Sequence, residues 1–266
     1  MSAITLKANA KLNLMLDICG QREDGYHNIS TVMQEIDLCD TVRVALTDAP
    51  DIVVTCDNAA IPTDNRNIAF RAAQSFLRES GFAQGVNIHI TKQIPLMAGL
   101  GGSSTNGAAV LTGLNRLCDN RYEVSELCEI GVTLGADVPF ALVGGRALCE
   151  GVGDIITPLA DLPPQFYAIV QPSFHCDTSR AYALYDENPV SRGKYANIFQ
   201  KLYADERIDA LCQRMCDCGA SFASMTGSGS AVFGVFAEET AAQSALQAFD
   251  LPFRACTNNL SVVNLE

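Results

Sequence analysis

The chain has 266 residues, 48% of them apolar and 18% charged. That supports a substantial core, excludes the disordered class, and fits two compact domains or one large one. The formal net charge is −12, so a broadly acidic surface repels nucleic acid and anionic membranes, and a phosphate ligand has to be held by local features such as backbone N–H groups, a helix N-terminus or a bound metal.

In chain order, Leu12, Leu14, Leu16 and Ile18 alternate with Lys11, Asn13, Met15 and Asp17. This period of two predicts a strand with Lys11 and Asn13 on one face and the leucines on the other. The loop GQREDGYHN follows, then strands over 31–37, 41–46 and 52–56. Residues 67–79 carry helical spacing through Ile68, Ala72 and Phe76, and VNIHITKQI reads as a strand. A glycine-rich loop leads into an Ala/Leu-rich helix to about Leu117, with another helix near 123–133. YAIVQ at 167–171 is a short buried strand, and DLPP at 161–164 is the best domain boundary. Helices are expected near 178–185, 194–203 and 206–217. A strand ending at Met225, a TGSGS turn, the strand AVFGVF, a helix over 238–248 and a strand near Phe253–Cys256 complete an α+β pattern.

No stretch approaches a membrane span, and the N-terminus lacks a basic segment followed by an unbroken apolar run, which predicts a cytoplasmic protein. Most of the eleven cysteines sit in apolar runs and read as small buried hydrophobes of a reducing compartment. The trio Cys212, Cys216 and Cys218 has the wrong spacing for a zinc ribbon.

Four segments can carry chemistry. The run Pro95, Leu96, Met97, Ala98, Gly99, Leu100, Gly101, Gly102, Ser103, Ser104, Thr105 lies between a strand and a helix. Glycines let such a backbone curl with its N–H groups inward, the helix start adds donors and partial positive charge, and the hydroxyls offer phosphate or metal contacts. It is neither a Walker A loop nor a dinucleotide fingerprint, and by itself it could be a turn with a serine cap. In Gly135-Ala136-Asp137-Val138-Pro139, Asp137 could merely shape a turn. Lys11, as a strand lysine, would ordinarily be solvated. Met225-Thr226-Gly227-Ser228-Gly229-Ser230 could be a hairpin and no more.

Together and in this order, these segments resemble the GHMP kinase superfamily. PLMAGLGGSST is similar to its phosphate-binding loop and MTGSGSAVFGVF to its C-terminal glycine motif. The runs AKLNLMLDICGQREDGYHNISTVMQEIDLCD, DNRNIAFRAA and GADVPFALVGGRALCEGVGDIITPL resemble the branch that phosphorylates a cytidine diphosphate-linked methylerythritol in the non-mevalonate isoprenoid pathway. The likeness spans nearly the whole chain. It implies an ATP-binding N-terminal domain over residues 1–160, like that of ribosomal protein S5, and a ferredoxin-like C-terminal domain over 161–266. It also implies ATP and Mg²⁺, with the 95–105 loop on the phosphates and Ser104 as a metal ligand, a small-molecule cytidine diphosphate substrate, and a monomer or homodimer. Asp137 would be the general base, with Lys11 beside it keeping the carboxylate ionised. Asn13 would lie near the substrate, Tyr26 and His27 would hold the cytosine, and Thr178 and Tyr182 would close that pocket, Tyr182 as a second stacking wall. Two other readings are another GHMP kinase, such as a mevalonate or homoserine kinase, and a kinase-like nucleotide binder without turnover.

The chain also departs from the family pattern. Met97 stands where a glycine is common, Ser103 follows Gly101-Gly102 where a third glycine is usual, and the segment Asn197-Ile198-Phe199-Gln200 lacks the acidic residue expected after its asparagine.

Overall fold

The protein is described here by a computed structural model that covers residues 2–261. The first part of the chain runs β1 (Ala3–Gln21), β2 (His27–Thr47), β3 (Ile52–Cys56), α1 (Ile68–Ser80), β4 (Gly85–Thr91), α2 (Gly102–Leu117), α3 (Val124–Val132), α4 (Val138–Val143), β5 (Arg146–Gly151) and β6 (Ile155–Pro158). It continues through β7 (Phe166–Gln171), α5 (Thr178–Glu187), α6 (Ile198–Tyr203), α7 (Glu206–Asp217), β8 (Phe222–Met225), β9 (Val232–Phe236), α8 (Glu239–Leu246) and β10 (Phe253–Asn258).

These elements pack as two compact units that interleave along the chain. The first comprises the residues up to Ala10, Cys39–Ile94 and Gly101–Gly144; the second comprises Lys11–Leu38, Pro95–Leu100 and the chain from Gly145 onward.

In the first unit, β3 pairs parallel with β4 (Ile52 opposite Val86), and β4 pairs antiparallel with the Thr41–Thr47 end of β2. Alternate residues Val42, Val44, Val86, Ile88 and Ile90 turn inward, as a one-sided sheet requires. Helices α1 and α2 cover them with Ala69, Ala72, Ala73, Phe76, Val110, Leu111 and Leu114. Helix α1 begins where the Asn67 side chain accepts the Ala69 N–H at 2.9 Å.

In the second unit, β10, β7, β9 and β8 form an antiparallel sheet in that order. Helices separate β7 from β8, and α8 separates β9 from β10, so the connectivity is the βαββαβ of a ferredoxin-like domain. Ala168, Val170, Val232 and Phe236 pack against Ile208, Cys212, Met215, Ala242 and Ala245 of the helices. The same unit contains the antiparallel run formed by Ile29–Gln34 of β2, β5 and β6.

Several elements differ from the sequence expectation. β2 is one strand of 21 residues rather than two. The polar pair Asp37 and Asp40 suggests a break, but Asp40 is buried within the strand, accepting the N–H groups of Gln93 (2.8 Å) and Ile94 (2.9 Å) and pairing with the Lys92 ammonium. β5 and β6 are additional, and α6 starts at Ile198 rather than near 194 because Asn197 caps it, accepting the Phe199 N–H at 2.9 Å. Among the described residues no helix is long and apolar enough to cross a membrane.

The Asp40 cluster fixes the end of β4 just before the glycine-rich loop begins. Asp40→Ala leaves the Lys92 charge and two strand-end amides uncompensated, and we expect it to cost about 3–5 kcal/mol of stability. Urea denaturation of the two proteins measures this.

Candidate active site

The glycine-rich loop is held by its carbonyls. In the second unit the Gln171 side chain donates to Leu96 O at 2.9 Å, Ala231 N–H to Ala98 O at 3.2 Å, and Lys11 N–H to Leu100 O at 3.1 Å. The Thr226 hydroxyl also reaches Gly99 O, at 3.5 Å. Each trans peptide points its N–H opposite to its C=O. Carbonyls turned into the scaffold therefore leave the N–H groups of Met97, Gly99 and Gly101 pointing the other way, which suits an anion.

Between Leu100 and Gly101 the chain enters the first unit and begins α2. Its N-cap is Gly101, so no side chain occupies the first-turn donors. Ser103 is exposed on that turn, Ser104 is half-buried, and the Thr105 hydroxyl is buried and donates to Gly102 O at 3.1 Å. A Cβ added to Gly135 would lie 3.6 Å from Ser104 Oγ. Ser104 and the turn carrying Asp137 are thus neighbours within the first unit. Asp137 is the N-cap of α4 without a side-chain cap bond, and Ala141 N–H donates to its carbonyl at 3.1 Å.

Met97 has φ 55°. This left-handed conformation costs an L side chain about 1 kcal/mol, whereas glycine adopts it freely. The side chain is 66% exposed, so it crowds nothing.

Lys11 is not a solvated strand lysine. It is 4% exposed and donates to Asn13 Oδ1 at 2.7 Å. Asn13, itself buried, donates from Nδ2 to Thr31 Oγ1 at 2.8 Å, and from its backbone N–H to Thr226 Oγ1 at 2.9 Å. The TGSGS segment therefore seats itself on β1 through a fully buried threonine hydroxyl. The approach is close: a Cβ at Gly99 (φ 77°) would lie 2.3 Å from Thr226 O, and one at Gly227 (φ 53°) would lie 2.7 Å from Gly99 O.

Asn197 positions the TGSGS segment through hydrogen bonds that sequence reasoning did not anticipate. Fully buried, it donates to Met225 O at 2.9 Å and Gly227 O at 2.8 Å while capping α6. Its signal was an asparagine immediately before an apolar helical run, the ordinary mark of a cap.

The residues expected to recognise the base lie in the second unit. Tyr26, 67% exposed, follows a turn in which Asp24 accepts the Tyr26 N–H at 3.1 Å. His27 is buried and stacks on Tyr182 with ring centroids 4.7 Å apart. Thr178, at the first turn of α5, donates to Ser228 Oγ of the TGSGS segment at 2.6 Å. Thus Asn13, Thr178, loop residues 95–100 and the TGSGS segment form one network, and His27 and Tyr182 meet each other.

Fold and loops define a GHMP kinase, a small-molecule phosphotransferase. Residues 67–145 match the family described as GHMP kinases N terminal domain, and residues 181–255 match GHMP kinases C terminal. The chain is 40% identical to a 4-diphosphocytidyl-2-C-methyl-D-erythritol kinase of Geobacter metallireducens, over 93% of this chain and 94% of that protein. It is 39% identical to one of Caldicellulosiruptor saccharolyticus, over 88% of each. A crystal structure of 4-(cytidine 5′-diphospho)-2C-methyl-D-erythritol kinase superposes with TM-score 0.82 at 30% identity, covering 96% of this chain and 99% of that one. The chain belongs to the 4-diphosphocytidyl-2-C-methyl-D-erythritol kinase family. The homoserine kinase of Cytophaga hutchinsonii shares the fold, with TM-score 0.71 at 22% identity over 98% of this chain and 96% of that one.

Asn197→Ala leaves two buried carbonyls without their donor and uncaps α6. We expect a loss of about 2–4 kcal/mol in urea denaturation, accompanied by a lower kcat as the TGSGS segment slackens.

Proposed function

We propose that this kinase transfers the γ-phosphoryl group of ATP to a hydroxyl of 4-diphosphocytidyl-2-C-methyl-D-erythritol, with Asp137 as general base and Lys11 as the charge that steadies it. The observation that carries this reading is the buried Lys11–Asn13–Thr226 network, which ties a cationic strand residue to both glycine-rich segments. A buried ammonium needs charge or hydrogen bonds to answer it, and the bond to Asn13 Oδ1 holds this one in a fixed direction, which suits a catalytic duty. Phosphoryl transfer asks the protein mainly for positioning and charge neutralisation. A loop held by its carbonyls meets the first demand.

Residues 95–105 would bind the ATP phosphates. Mg²⁺ takes oxygen ligands, and the half-buried Ser104 hydroxyl beside Gly135 fits it. Bound there, the ion would neutralise phosphate charge. Asn13 would contact the substrate near Lys11, Tyr26 would stack on the cytosine through its exposed face, His27 would read the base edge, and Thr178 and Tyr182 would wall the pocket. The two family modules would span 1–160 and 161–266, acting in the cytoplasm.

The deciding experiment is to supply ATP, Mg²⁺ and 4-diphosphocytidyl-2-C-methyl-D-erythritol and to follow the phosphorylated product by phosphorus NMR. No product at high enzyme concentration would mark a nucleotide binder instead. Asp137→Asn should lower kcat by about 10²–10⁴-fold with little change in ATP affinity. Nearly intact turnover would exclude Asp137 as the base. Tyr26→Ala should raise KM for the cytidine substrate about tenfold, in line with about 1.4 kcal/mol of stacking, while kcat changes little. An unchanged KM would remove Tyr26 from the pocket.

A further inference from the structure

Helix α5 carries a stripe that extends past the residues already assigned. Thr178, Tyr182 and Asp186 are spaced four apart, so they share one face. Thr178 meets Ser228, and Tyr182 stacks on His27. Asp186, one turn further, places Oδ1 2.6 Å from His27 Nε2. The His27 ring is thereby fixed on three sides: face against Tyr182, edge against Tyr185 with centroids 5.9 Å apart at 86°, and Nε2 against Asp186. Its side chain is 7% exposed, whereas that of Asp186 is 42% exposed.

Two features mark Asp186 as more than a surface acid. It occupies the last turn of α5, where the helix dipole disfavours negative charge, and no basic residue stands in that turn to offset it. Its hydrogen bond to His27 connects positions 159 apart in the chain. It therefore ties the GYH segment to α5.

The chemical consequence follows from the donor inventory. An ionised carboxylate only accepts, so the ring nitrogen facing it carries the proton. In the neutral ring the other nitrogen, Nδ1, is then left with a lone pair. Cytosine and uracil differ at this kind of probe, since cytosine presents a 4-amino donor where uracil presents a 4-oxo acceptor. We propose that Asp186 is a positioning residue that keeps the His27 ring proton on Nε2, so that Nδ1 accepts from the 4-amino group of cytosine and rejects the 4-oxo group of uracil. This rests on the reading of His27 as the base-edge contact, and it adds the residue and the proton placement that give the pocket its choice of base. A site built to pair a polar group rejects an analogue that leaves that group unpaired far more strongly than an apolar pocket would.

The test has two arms on the full-length protein. In the first, nitrogen-15 NMR of the histidines, assigned with a His27→Gln sample, reads the tautomer directly in wild type and in Asp186→Asn. The expected spectrum is a neutral His27 protonated at Nε2 in wild type, with that single tautomer lost in the variant. A wild-type His27 protonated at Nδ1, or at both nitrogens at pH 7.5, overturns the proposal. In the second, calorimetry measures CDP and UDP binding to wild type and to Asp186→Ala. Wild type is expected to prefer CDP, and Asp186→Ala to lose about tenfold or more of that preference with ATP binding nearly unchanged. A CDP preference left intact in Asp186→Ala overturns the proposal while leaving the substrate assignment standing. Wild type that binds neither nucleotide, with the Nε2 tautomer present, overturns the base-reading role together with the substrate assignment on which it rests.

Discussion

A peptide group cannot turn its carbonyl and its N–H to the same side, and this constraint organises the second unit's share of the site. The carbonyls of Leu96, Ala98, Gly99 and Leu100 face donors on β7, the TGSGS segment and β1. The corresponding N–H groups face away from that scaffold. In a protein of net charge −12, long-range attraction for phosphate is unavailable, so oriented amides are the natural substitute. The scaffold makes those amides available by occupying the atoms on the opposite edge of the backbone.

Buried polar side chains set this arrangement. Asn13, Thr31, Thr226 and Asn197 are almost entirely out of solvent, and each bonds to a partner distant in sequence. Such a network specifies one geometry, because any shift leaves donors or acceptors unmet in a medium of low dielectric. Lys11 sits at its end, hydrogen-bonded to Asn13. Its ammonium is presented in a fixed direction rather than at the tip of a mobile chain.

Much of the fold could be read in the sequence because the elements are locally consistent. The βαββαβ order of the second half follows from alternation, helical spacing and the TGSGS turn. The sequence reading places two strands, 31–37 and 41–46, where β2 is continuous, and only the tertiary partners of Asp40 explain a carboxylate inside a strand. β5 and β6 are six and four residues long, too short to carry a clear period. At the candidate site, Asn13, His27 and the 95–105 loop are singled out through the family resemblance of the motifs that carry them. The bonds from Asn197 to Met225 and Gly227, and between Asp186 and His27, span 28 to 159 positions, a distance over which sequence pattern carries no signal.

The contact between Gly99 and the Thr226–Gly227 segment is made of main chain on both sides. Where two side chains touch, lineages can exchange volume across the contact, one shrinking as the other grows, and the pair leaves a statistical trace of covariation. Two backbones in contact have nothing to exchange. Drift at these two positions is therefore arrested rather than compensated, and methods that infer proximity from correlated substitution will be blind to this approach.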